Sequence, residues 1–471
     1  MDATHQGAHP VRPFLLTTSP IGSLEEYLAT PTGGRGIEVA QRIGPEATVE
    51  LVTDSGLRGR GGGGFPTGTK WAGIAGQDTS RRYLVCNGAE GEPGTFKDRA
   101  LMRANPYQLI EGLMIAAFAI GADEVYVCIK GTYTEELERV TRAVQDFQQA
   151  GICADCTVNI VAGPDEYLFG EEKAMLEVIE GKPPLPRWFP PHEQGLFARS
   201  PELGWESTPV TIGSRRDDPH PTLVNNVETL CNVPHILVRG AEWFRSMGTA
   251  SSPGTIVCTV VGDVAAPGVA EVEMGTPLRA VIDEVGGGVR EGRTVKAVFS
   301  GVANAVVTQP DLDAPVSYEG LMSVGGGLGS AGFIVYDETA CMVDAAYRFS
   351  RFLSIESCGQ CPPCKLGSAE ITECLHRIET GVGGDNDLEA MGAWLRRVTD
   401  GARCYLPSEE RNVVSSILRA FPEEFAAHVE HAACPRPRRV PLPKLVDLRD
   451  GHATYDESFW RKRPDWTYDA E

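Results

Sequence analysis

Residues 81–90 read RRYLVCNGAE, a short run of strand-forming residues that ends in a small polar loop. The same pattern recurs in ADEVYVCIKG, residues 122–131, and in TVNIVAGP, residues 157–164. Between these runs, over 105–121 and 133–151, apolar residues recur every three or four positions, which is typical of helices. This alternation predicts an α/β unit with a mostly parallel sheet, in which ligands bind beyond the carboxyl ends of the strands.

The composition of the chain narrows the class of protein. A length of 471 residues predicts roughly two to four domains. With 43 basic and 64 acidic residues, the formal net charge of −21 argues against a nucleic-acid partner. No apolar run reaches the roughly 18 residues of a membrane helix, and the N-terminus lacks a secretory signal pattern, so we expect a cytoplasmic protein without membrane insertion. Thirteen cysteines in a reducing compartment indicate metal ligands or redox groups more than disulfides.

Composition and periodicity divide the chain into segments. Two strand-like runs, GTIVCTVVGDV (254–264) and GVAEVEMG (268–275), resemble a hairpin and open a small α+β unit. Four helical patterns follow, the last of them over 408–431, and the residues after them are rich in proline, charge and aromatic rings. We therefore predict an α/β plus α+β plus α architecture with five segments: an N-terminal arm (1–45), the α/β unit (46–245), the α+β unit (246–335), a helical unit (336–434) and an extended tail that lies on a partner (435–471).

A strong metal-binding pattern lies in the loop between the first two helices of the helical unit. Residues 356–365 read ESCGQCPPCK and place Cys358, Cys361 and Cys364 two residues apart. Runs of this spacing wrap three thiolates around one corner of a [4Fe–4S] cluster. Structural zinc sites usually pair two distant cysteine knuckles or include histidine. We therefore expect a [4Fe–4S] cluster, with zinc or an uncomplexed redox group as the alternatives.

This site needs a fourth ligand, and two cysteines are candidates. Cys404 lies in the loop between the third and fourth helices. In an up-down-up-down bundle, that loop falls at the same end as the loop that holds the three cysteines. Cys374 is nearer in sequence, but it lies in the middle of the second helix among apolar residues. We therefore favour Cys404.

The glycine-rich segment GLRGRGGGGFPTGTKW, residues 56–71, is the second strong pattern. Glycines have no side chains, so they let backbone N–H groups approach a phosphate. The match to a dinucleotide fingerprint is weak because a helical pattern precedes it, and Lys70 comes one place too late for a Walker loop. A flexible linker is the alternative, but Phe65, Pro66 and Trp71 are too bulky for one.

Three further polar motifs stand where predicted strands end or predicted helices begin. Each has a structural alternative, because paired acids at a helix start can simply cap it and paired asparagines can form a turn. The candidate cofactor-contacting residues are Asn87, Glu90 and Glu92 in CNGAEGEPGTFKDR, Glu171 and Glu172 in YLFGEEKAM, and Asn225 and Asn226 in PTLVNNVETL.

Together, and in this order, these motifs resemble one family. GLRGRGGGGFPTGTKW, CNGAEGEPGTFKDR, YLFGEEKAM, TLVNNVETLCNVP, ESCGQCPPCKLG and Cys404 are similar to the flavin-bearing, NADH-oxidising subunit of respiratory complex I. Related subunits occur in soluble NAD-linked formate dehydrogenases and hydrogenases. The resemblance implies a Rossmann-like FMN and NADH domain, a ubiquitin-like β-grasp insert and a C-terminal four-helix bundle that carries [4Fe–4S].

The resemblance also implies which residues bind each cofactor. Phe65 and Phe189 would stack on the NADH adenine, and Glu92 and Glu172 would lie near the nicotinamide end. The same two acids, near the proposed ribose, would repel a 2′-phosphate, which favours NADH over NADPH. The cluster ligands would be Cys358, Cys361, Cys364 and Cys404. The remaining cofactor-binding residues would be Gly59, Arg60, Gly61, Gly62, Gly64, Lys70, Asn87, Glu90, Tyr167, Gly170, Glu171, Val224, Asn225, Asn226 and Thr229.

By the same resemblance, NADH passes a hydride to FMN, and electrons then move singly to the cluster and on to a partner subunit. The expected partners are a thioredoxin-like [2Fe–2S] subunit and a further iron–sulfur or molybdenum catalytic subunit, which would make the protein peripheral to the inner membrane in complex I. In a formate dehydrogenase or hydrogenase the flow would reverse and reduce NAD. A non-catalytic metal-binding scaffold is the remote alternative.

The sequence departs from the family pattern at several positions. Ala89 replaces a usual aspartate, and Phe169 replaces a usual cysteine. The loop over 182–220 is longer than usual, and Tyr-Leu-Pro at 405–407 replaces a turn of the Leu-Gly type. These departures indicate a divergent branch of the family.

Overall fold

The structure is a computed structural model that describes residues 13–152, 156–198, 218–431, 434 and 440–469. Three groups of elements follow one another along the chain, and each contains buried apolar side chains. Within these residues, no helix is both long enough and apolar enough to cross a membrane.

The first group is an α/β unit. Its strands are β1 (Tyr83–Gly88), β2 (Glu124–Lys130), β3 (Thr157–Gly163) and β4 (Thr222–Asn226). Its helices are α1 (Leu24–Leu28), α2 (Arg35–Ile43), α3 (Pro45–Ser55), α4 (Thr67–Ala75), α5 (Lys97–Ala104), α6 (Pro106–Ile120), α7 (Thr134–Gln149), α8 (Glu172–Ile179), α9 (Val227–Arg239) and α10 (Ala241–Arg245). The strands form one wholly parallel sheet in the order β3-β2-β1-β4, as the alternation of strands and helices predicted. The register places Asn87 beside Asn226 at the carboxyl ends of β1 and β4.

Helix α6 lies at the centre of this unit because its sequence is apolar almost all round. Of its 15 residues, 14 are buried. Gly112 permits close packing on α9, since a Cβ there would lie 2.0 Å from the carbonyl oxygen of Leu230. The buried Glu111 accepts hydrogen bonds from the N–H groups of Gly34 (2.8 Å) and Ile37 (3.1 Å) at the start of α2. A helix N-terminus thus supplies the donors that a buried carboxyl group requires.

The N-terminal segment differs from the loose arm predicted for residues 1–45. Residues 1–12 lie outside the described part of the chain, but α1 and α2 pack on the central helices of the α/β unit. Tyr27 is buried, and the N–H groups of residues 14–16 donate to Glu271 at 2.8 to 3.2 Å. The prediction was wrong because the glycine and proline residues here separate short, packed helices and do not indicate an extended chain.

The second group is an α+β unit built on a mixed sheet. Its strands are β5 (Thr255–Gly262), β6 (Gly268–Glu273), β7 (Val295–Ser300), β8 (Val307–Thr308) and β9 (Gly332–Asp337), and its helices are α11 (Leu278–Gly286) and α12 (Tyr318–Ser323). The strand order is β6-β5-β9-β7-β8, with β5 and β9 parallel and the other pairs antiparallel. Helix α11 packs against β5 and β6, which form the hairpin predicted from the sequence.

The third group is helical. It contains α13 (Met342–Glu356), α14 (Pro362–Glu379), α15 (Asp385–Leu395), α16 (Leu406–Ala420) and α17 (Pro422–His431). The sequence predicted one continuous helix over 408–431, but the structure interrupts it at Phe421. The reason is Pro422, which has no backbone N–H and disfavours a helical conformation in the residue before it.

Residues 440–469 form a tail that contacts all three groups. The tail contains β10 (Leu445–Arg449), β11 (His452–Tyr455) and a 3-10 turn over Glu457–Arg461. The N–H of Gly94 donates to the carbonyl of Pro443 (2.7 Å), and Lys462 forms a buried ion pair with Glu356 (2.9 Å). The sequence predicted a tail that lies on a partner, whereas these residues pack on their own chain.

A buried acid in the helical unit makes stability depend on pH. Glu410 of α16 is buried and accepts a hydrogen bond from the Ser350 hydroxyl (2.6 Å). Burial raises the pKa of Glu410 from 4.5 to about 8. Because the folded-state pKa is the higher one, the folded protein keeps a proton that the unfolded chain releases. The free energy of unfolding therefore falls as the pH rises from about 4.5 to about 8.

We expect Glu410→Gln to remove this dependence, because glutamine does not titrate. From about pH 5 to about pH 7.5, wild type should lose up to about 1.4 kcal/mol per pH unit relative to the variant. Urea unfolding of the full chain at several pH values measures the difference. Glu370→Gln, at an exposed position of α14, should keep the wild-type slope. If the free energy of unfolding of Glu410→Gln fell with pH as steeply as that of wild type, Glu410 would not be the group responsible.

Candidate functional site

A large cavity opens at the carboxyl edge of the parallel sheet, beside the ends of β1 and β4. It encloses about 580 Å³. A second cavity of about 550 Å³ adjoins it, and both are lined by Gly61, Gly63, Asn87, Gly170 and Asn226. Small-molecule sites usually enclose about 300–1,000 Å³, so the joined cavities have the capacity for large ligands.

Nearly all of the predicted cofactor-binding residues line these two cavities. The first cavity contains Gly61, Gly62, Asn87, Glu90, Glu92, Tyr167, Gly170, Glu171 and Asn226. The second cavity adds Gly59, Gly64, Phe65, Lys70, Glu172, Val224, Asn225 and Thr229. The structure therefore brings together motifs that are up to about 170 residues apart in sequence.

Two predicted cofactor-binding residues lie elsewhere. The Arg60 side chain is buried and donates to the carbonyls of Pro253 (3.1 Å) and Thr255 (3.0 Å). Its guanidinium group therefore joins the glycine-rich loop to the second unit, away from the cavities. Phe189 is 47% exposed and lies outside both cavities. Neither position could be judged from sequence, because the direction in which a loop side chain points depends on the tertiary fold.

The glycine-rich loop requires glycine where it packs most closely. Gly64 has a positive φ of 61°, and a Cβ there would lie 2.4 Å from the Tyr318 ring. The Tyr318 hydroxyl also donates to the carbonyl of Gly59 (2.5 Å), which fixes the loop against α12. At Gly63, by contrast, a Cβ would meet no atom within 4 Å. The loop thus lines the cavities with bare backbone, as a phosphate or a flat ring system requires.

A buried charged network forms one wall of the first cavity. Lys97 Nζ contacts Asp98 (2.8 Å), Glu228 (3.0 Å) and the side-chain oxygen of Asn226 (3.0 Å). The Asn226 amide nitrogen in turn donates to Asp98 (2.7 Å). Burial alone would lower the pKa of Lys97, but the carboxylates of Asp98 and Glu228 outweigh burial and raise it. Lys97 therefore stays positively charged at the wall.

Two acids meet at one tyrosine on another wall of this cavity. Glu92 and Glu409 both contact the Tyr167 hydroxyl, Glu409 at 3.2 Å, and the N–H of Val302 donates to Glu92 (2.6 Å). Burial raises the pKa of Glu92, and burial together with the charge of Glu92 raises the pKa of Glu409. A tyrosine hydroxyl has one hydrogen to donate, so a proton on one of the acids completes the network.

The paired acids Glu171 and Glu172 have different roles. Glu171 caps α8, because its carboxylate accepts from the N–H groups of Lys173 (3.0 Å) and Ala174 (2.9 Å). Burial raises the pKa of Glu171 to about 7. Glu172 faces the second cavity and pairs with Lys70 (3.0 Å). Glu171 therefore has the structural role of a helix cap, and its side chain also lines the first cavity.

The second cavity combines fixed polar groups with an exposed ring. Lys70 donates to the carbonyl of Val224 (2.9 Å), and the Trp71 ring N–H donates to the side chain of Asn225 (2.7 Å). Phe65 lines the same cavity and is 56% exposed. An exposed aromatic face beside a cavity can stack on a flat ligand ring.

The four predicted cluster cysteines line one small cavity. Cys358 lies in the loop after α13, Cys361 directly precedes α14, Cys364 lies in the first turn of α14, and Cys404 precedes α16 by two residues. Burial raises the pKa of Cys364 to about 11 and also raises that of Cys404. A donor set of four sulfurs without an imidazole fits an iron–sulfur cluster. The other candidate, Cys374, is buried within α14 and lies outside this cavity.

The cysteine cavity and the first cavity share a wall. Leu168, Cys404 and Leu406 line both of them. Cys404 therefore stands between the four-sulfur group and the cavity at the sheet edge, which places two potential redox sites next to each other.

Several residues of the first cavity were missed at the sequence level. Lys97 and Asp98 belong to the motif over 86–99 and lie in the buried first turn of α5. Their charges could therefore have identified them as candidate site residues from the sequence. Glu409 follows Cys404 by five residues and enters from the helical unit. Residues of the second unit, such as Asn304, also line the cavity. They carried no signal, because contacts between units are not visible in local sequence patterns.

Comparisons with known proteins match each unit in turn. The Nuo51 FMN-binding domain matches residues 52–235, the SLBB domain matches 257–299, and the NADH-ubiquinone oxidoreductase-F iron-sulfur binding region matches 344–428. One of the F subunits of the NADH-quinone oxidoreductases of Rhizobium meliloti is 40% identical over 402 residues, which cover 83% of this chain and 90% of that protein. The chain belongs to the family of NADH-quinone oxidoreductase F subunits. The family predicted from the sequence motifs is thus confirmed.

This member of the F-subunit family is also similar to subunits of hydrogenases. The HndC subunit of the NADP-reducing hydrogenase of Solidesulfovibrio fructosivorans is 36% identical over 424 residues, which cover 88% of this chain and 82% of that protein. A crystal structure of NAD⁺-reducing [NiFe]-hydrogenase in the H₂-reduced state aligns with a TM-score of 0.74 at 33% identity, over 89% of this chain and 68% of that chain. The protein is an NADH-oxidising oxidoreductase subunit whose cofactors are FMN, NAD(H) and a [4Fe–4S] cluster.

Two departures of this family member from the usual pattern of F subunits are buried. Ala89 lines the first cavity and presents only a methyl group there. Phe169 packs over Gly163, where a Cβ would lie 2.1 Å from the Phe169 ring. Phe169 therefore fits because Gly163 has no side chain.

We expect Gly64→Ala to weaken FMN binding by at least about tenfold. The added methyl group meets the Tyr318 ring, and alanine disfavours the positive φ, so the loop must move. Gly384→Ala, at the start of α15, is the control and should bind FMN as wild type does, because a Cβ there meets no atom within 4 Å and Gly384 lies outside both cavities. Fluorescence titration of the flavin-free proteins with FMN measures both. Equal affinity in Gly64→Ala and wild type would show that the loop does not position the flavin.

Proposed function

We propose that FMN binds where the two cavities meet, along the glycine-rich loop, and that NADH enters beside it past the exposed ring of Phe65. When bound, FMN accepts a hydride from NADH, and the [4Fe–4S] cluster carries the electrons onward one at a time. The side chains of this protein bind, orient and tune these groups, and no residue is required as a general acid or base.

The proposed binding roles follow from charge and hydrogen-bonding capacity. The ammonium groups of Lys70 and Lys97 offer positive charge to the phosphate and to electron-rich ring atoms of the flavin. Asn225 and Asn226 offer amide donors and acceptors to ring edges. Glu90 is held by an ion pair with Arg99 (3.1 Å), so its carboxyl group has a fixed orientation toward the first cavity.

Acidic groups support NADH as the nucleotide. Glu92 lies in the first cavity and Glu172 in the second, so both of the proposed nucleotide-facing walls carry a carboxyl group. A 2′-phosphate beside an ionised carboxylate of these walls would be repelled, which opposes NADPH binding. Comparison of initial rates with NADH and NADPH tests this point, and equal rates would overturn it.

The shared wall of the two redox cavities supports the proposed electron exit most directly. We propose that Cys358, Cys361, Cys364 and Cys404 are the cluster ligands. Because Cys404 also lines the first cavity, an electron leaving the flavin would reach the cluster through a wall that one ligand itself forms. The carbonyl of Arg403 accepts from Lys173 on α8, which ties this wall to the α/β unit.

The architecture implied by the family is part of the same proposal. The α/β unit over 46–245 would be the Rossmann-like FMN and NADH domain. The mixed sheet and α11, within 246–335, would be the ubiquitin-like β-grasp insert. Helices α13 to α16, within 336–434, would form the four-helix bundle that holds the cluster.

The protein belongs to a multi-subunit enzyme, and we propose its neighbours by electron flow. A thioredoxin-like [2Fe–2S] subunit and a further iron–sulfur or molybdenum catalytic subunit would accept or supply electrons beyond the cluster. The alternative to a role in complex I is the reduction of NAD in a soluble hydrogenase or formate dehydrogenase, and the similarity to the NAD⁺-reducing [NiFe]-hydrogenase supports it. Co-purification of the native assembly, with identification of its subunits, distinguishes the two.

A visible absorption spectrum of the chain purified without oxygen tests the cofactor content. We expect flavin bands, a broad iron–sulfur shoulder, and bleaching of both on addition of NADH. A protein that is colourless after such a purification would overturn the proposed function and leave a metal-binding scaffold in its place.

A further inference from the structure

The helical unit contains a second group of metal-type ligands. Cys341, His428 and Cys434 bring two sulfur atoms and one imidazole nitrogen within 4.8 Å of one another. Cys341 directly precedes α13, whereas Cys358 of the proposed cluster follows its other end. A helix of 15 residues is about 22 Å long, so the two groups lie at opposite ends of α13. The flavin and cluster chemistry therefore does not account for this group.

The histidine in this group has a fixed orientation. Nδ1 of the buried His428 lies 2.7 Å from the carbonyl oxygen of Glu424. A carbonyl oxygen can only accept, so Nδ1 carries the hydrogen and Nε2 presents its lone pair. That lone pair faces the Cys341 sulfur at 3.5 Å. A backbone carbonyl that holds the outer ring nitrogen is the usual support of a metal-binding histidine.

Burial raises the pKa of the Cys341 thiol, and the backbone N–H of Asp344 opposes that rise. Cys341 is the N-cap residue of α13, and its sulfur accepts a hydrogen bond from the N–H of Asp344 (3.4 Å). The positive end of a helix dipole favours the negatively charged form of a cysteine, which is the form that binds metal.

The separation of one donor pair matches an edge of a tetrahedral zinc site. Zinc binds histidine nitrogen at about 2.05 Å and cysteine sulfur at about 2.3 Å, so the nitrogen–sulfur edge of a zinc tetrahedron is about 3.6 Å. The separation between His428 Nε2 and Cys341 Sγ is 3.5 Å. This nitrogen–sulfur pair is thus already at the distance that a shared zinc ion would impose, and all three ligand atoms lie within 4.8 Å of one another.

We propose that Cys341, His428 and Cys434 bind one Zn²⁺ ion. Two thiolates neutralise the charge of the ion, and a set of thiolate and imidazole donors suits zinc. The fourth position is available to water. A disulfide between the two cysteines and a simple thiol–imidazole contact are the competing interpretations.

The ion would have a structural role. It would fasten the start of α13 and the C-terminal part of α17 to Cys434, beyond which the chain continues toward the tail over 440–469. The N–H of Val440 donates to Asp344 (2.8 Å), so the tail already begins beside the first turn of α13. The zinc would hold that junction closed, independently of FMN and of the cluster.

Elemental analysis of the full-length chain in its native assembly tests the proposal. The assembly is purified through a histidine-free tag and without chelators, and zinc, iron and flavin are measured together. We expect about one zinc per chain in wild type and a loss of at least about tenfold in Cys341→Ser and in Cys434→Ser, with iron and flavin retained. Cys374→Ser is the matched control, because Cys374 is buried in the same unit and lies outside the proposed site. It should keep its zinc.

X-ray absorption at the zinc edge provides a second measurement that needs no variant. We expect two sulfur neighbours at about 2.3 Å, with nitrogen or oxygen completing four ligands. Wild type without zinc, or both cysteine variants with undiminished zinc, would overturn the proposal. So would an intact mass two hydrogens lighter than the reduced chain, if peptide mapping places a disulfide between Cys341 and Cys434.

Discussion

Cys404→Ser should stop electron exit while NADH still reduces the flavin. Cys404 is the proposed fourth cluster ligand and lies in the wall between the two redox cavities. A serine oxygen is a poor substitute for a thiolate on iron, so we expect the iron content to fall. Electron transfer to the native partner subunits should decrease at least about 100-fold, because it requires the cluster. Reduction of a small soluble dye, which takes electrons directly from the flavin, should change less than about threefold.

The two rates are measured on the same preparation, normalised to bound flavin. Cys374→Ser is the control, because it removes a buried sulfur from α14 without touching the cluster cavity. It should leave both rates close to wild type. If Cys404→Ser kept its iron and its rate to the native partner, Cys404 would not be a ligand and the proposed exit would be wrong.

Lys97→Met should be among the most destabilising substitutions in the flavin region. The lysine is buried between Asp98 (2.8 Å) and Glu228 (3.0 Å). Methionine fills a similar volume but leaves both carboxylates without their shared cation. Loss of one partner from a buried ion pair costs about 3–5 kcal/mol, and Arg60, which lies 4.0 Å from Glu228, replaces only part of the lost attraction. We expect a decrease of that size in the free energy of unfolding, together with loss of flavin.

Urea unfolding of the full chain, followed by circular dichroism, measures this decrease. Lys182→Met is the matched control, because Lys182 pairs with Glu177 (3.1 Å) and Glu180 (3.0 Å) at the surface, where its side chain is 55% exposed. Such pairs contribute about 0–1 kcal/mol. If Lys97→Met lowered the free energy of unfolding by a similarly small amount, the ion pairs of Lys97 would not be what stabilises this wall of the first cavity.

Most of the candidate site could be predicted because its motifs are short and contiguous in sequence. The bare backbone around Gly64, the cysteine spacing and the polar strand ends depend on only a few neighbouring residues, so the sequence displays them directly. The parallel sheet followed from the alternation of strand-like and helical patterns, and α6 lies within the helical pattern predicted over 105–121.

Features that depend on distant contacts were not predictable. The Arg60 side chain turns toward the carbonyls of Pro253 and Thr255 because the second unit packs there. Glu409 enters the first cavity from the third unit because Tyr167 and Glu92 lie opposite. The helix break before α17, in contrast, could have been predicted from Pro422 alone. It was missed because the residues on both sides of Pro422 have a helical apolar pattern.

The tail makes the timing of flavin loading depend on protein synthesis. Arg99 holds Glu90 in place, and its Nη1 group donates to the carbonyls of Leu445 (3.0 Å) and Val446 (3.2 Å). These acceptors are made more than 300 residues after the loop they stabilise. The two hydrogen bonds from Arg99 to the tail can therefore form only after the ribosome has translated β10. FMN insertion should accordingly be post-translational, and a nascent chain that stalls before residue 440 should emerge without its flavin.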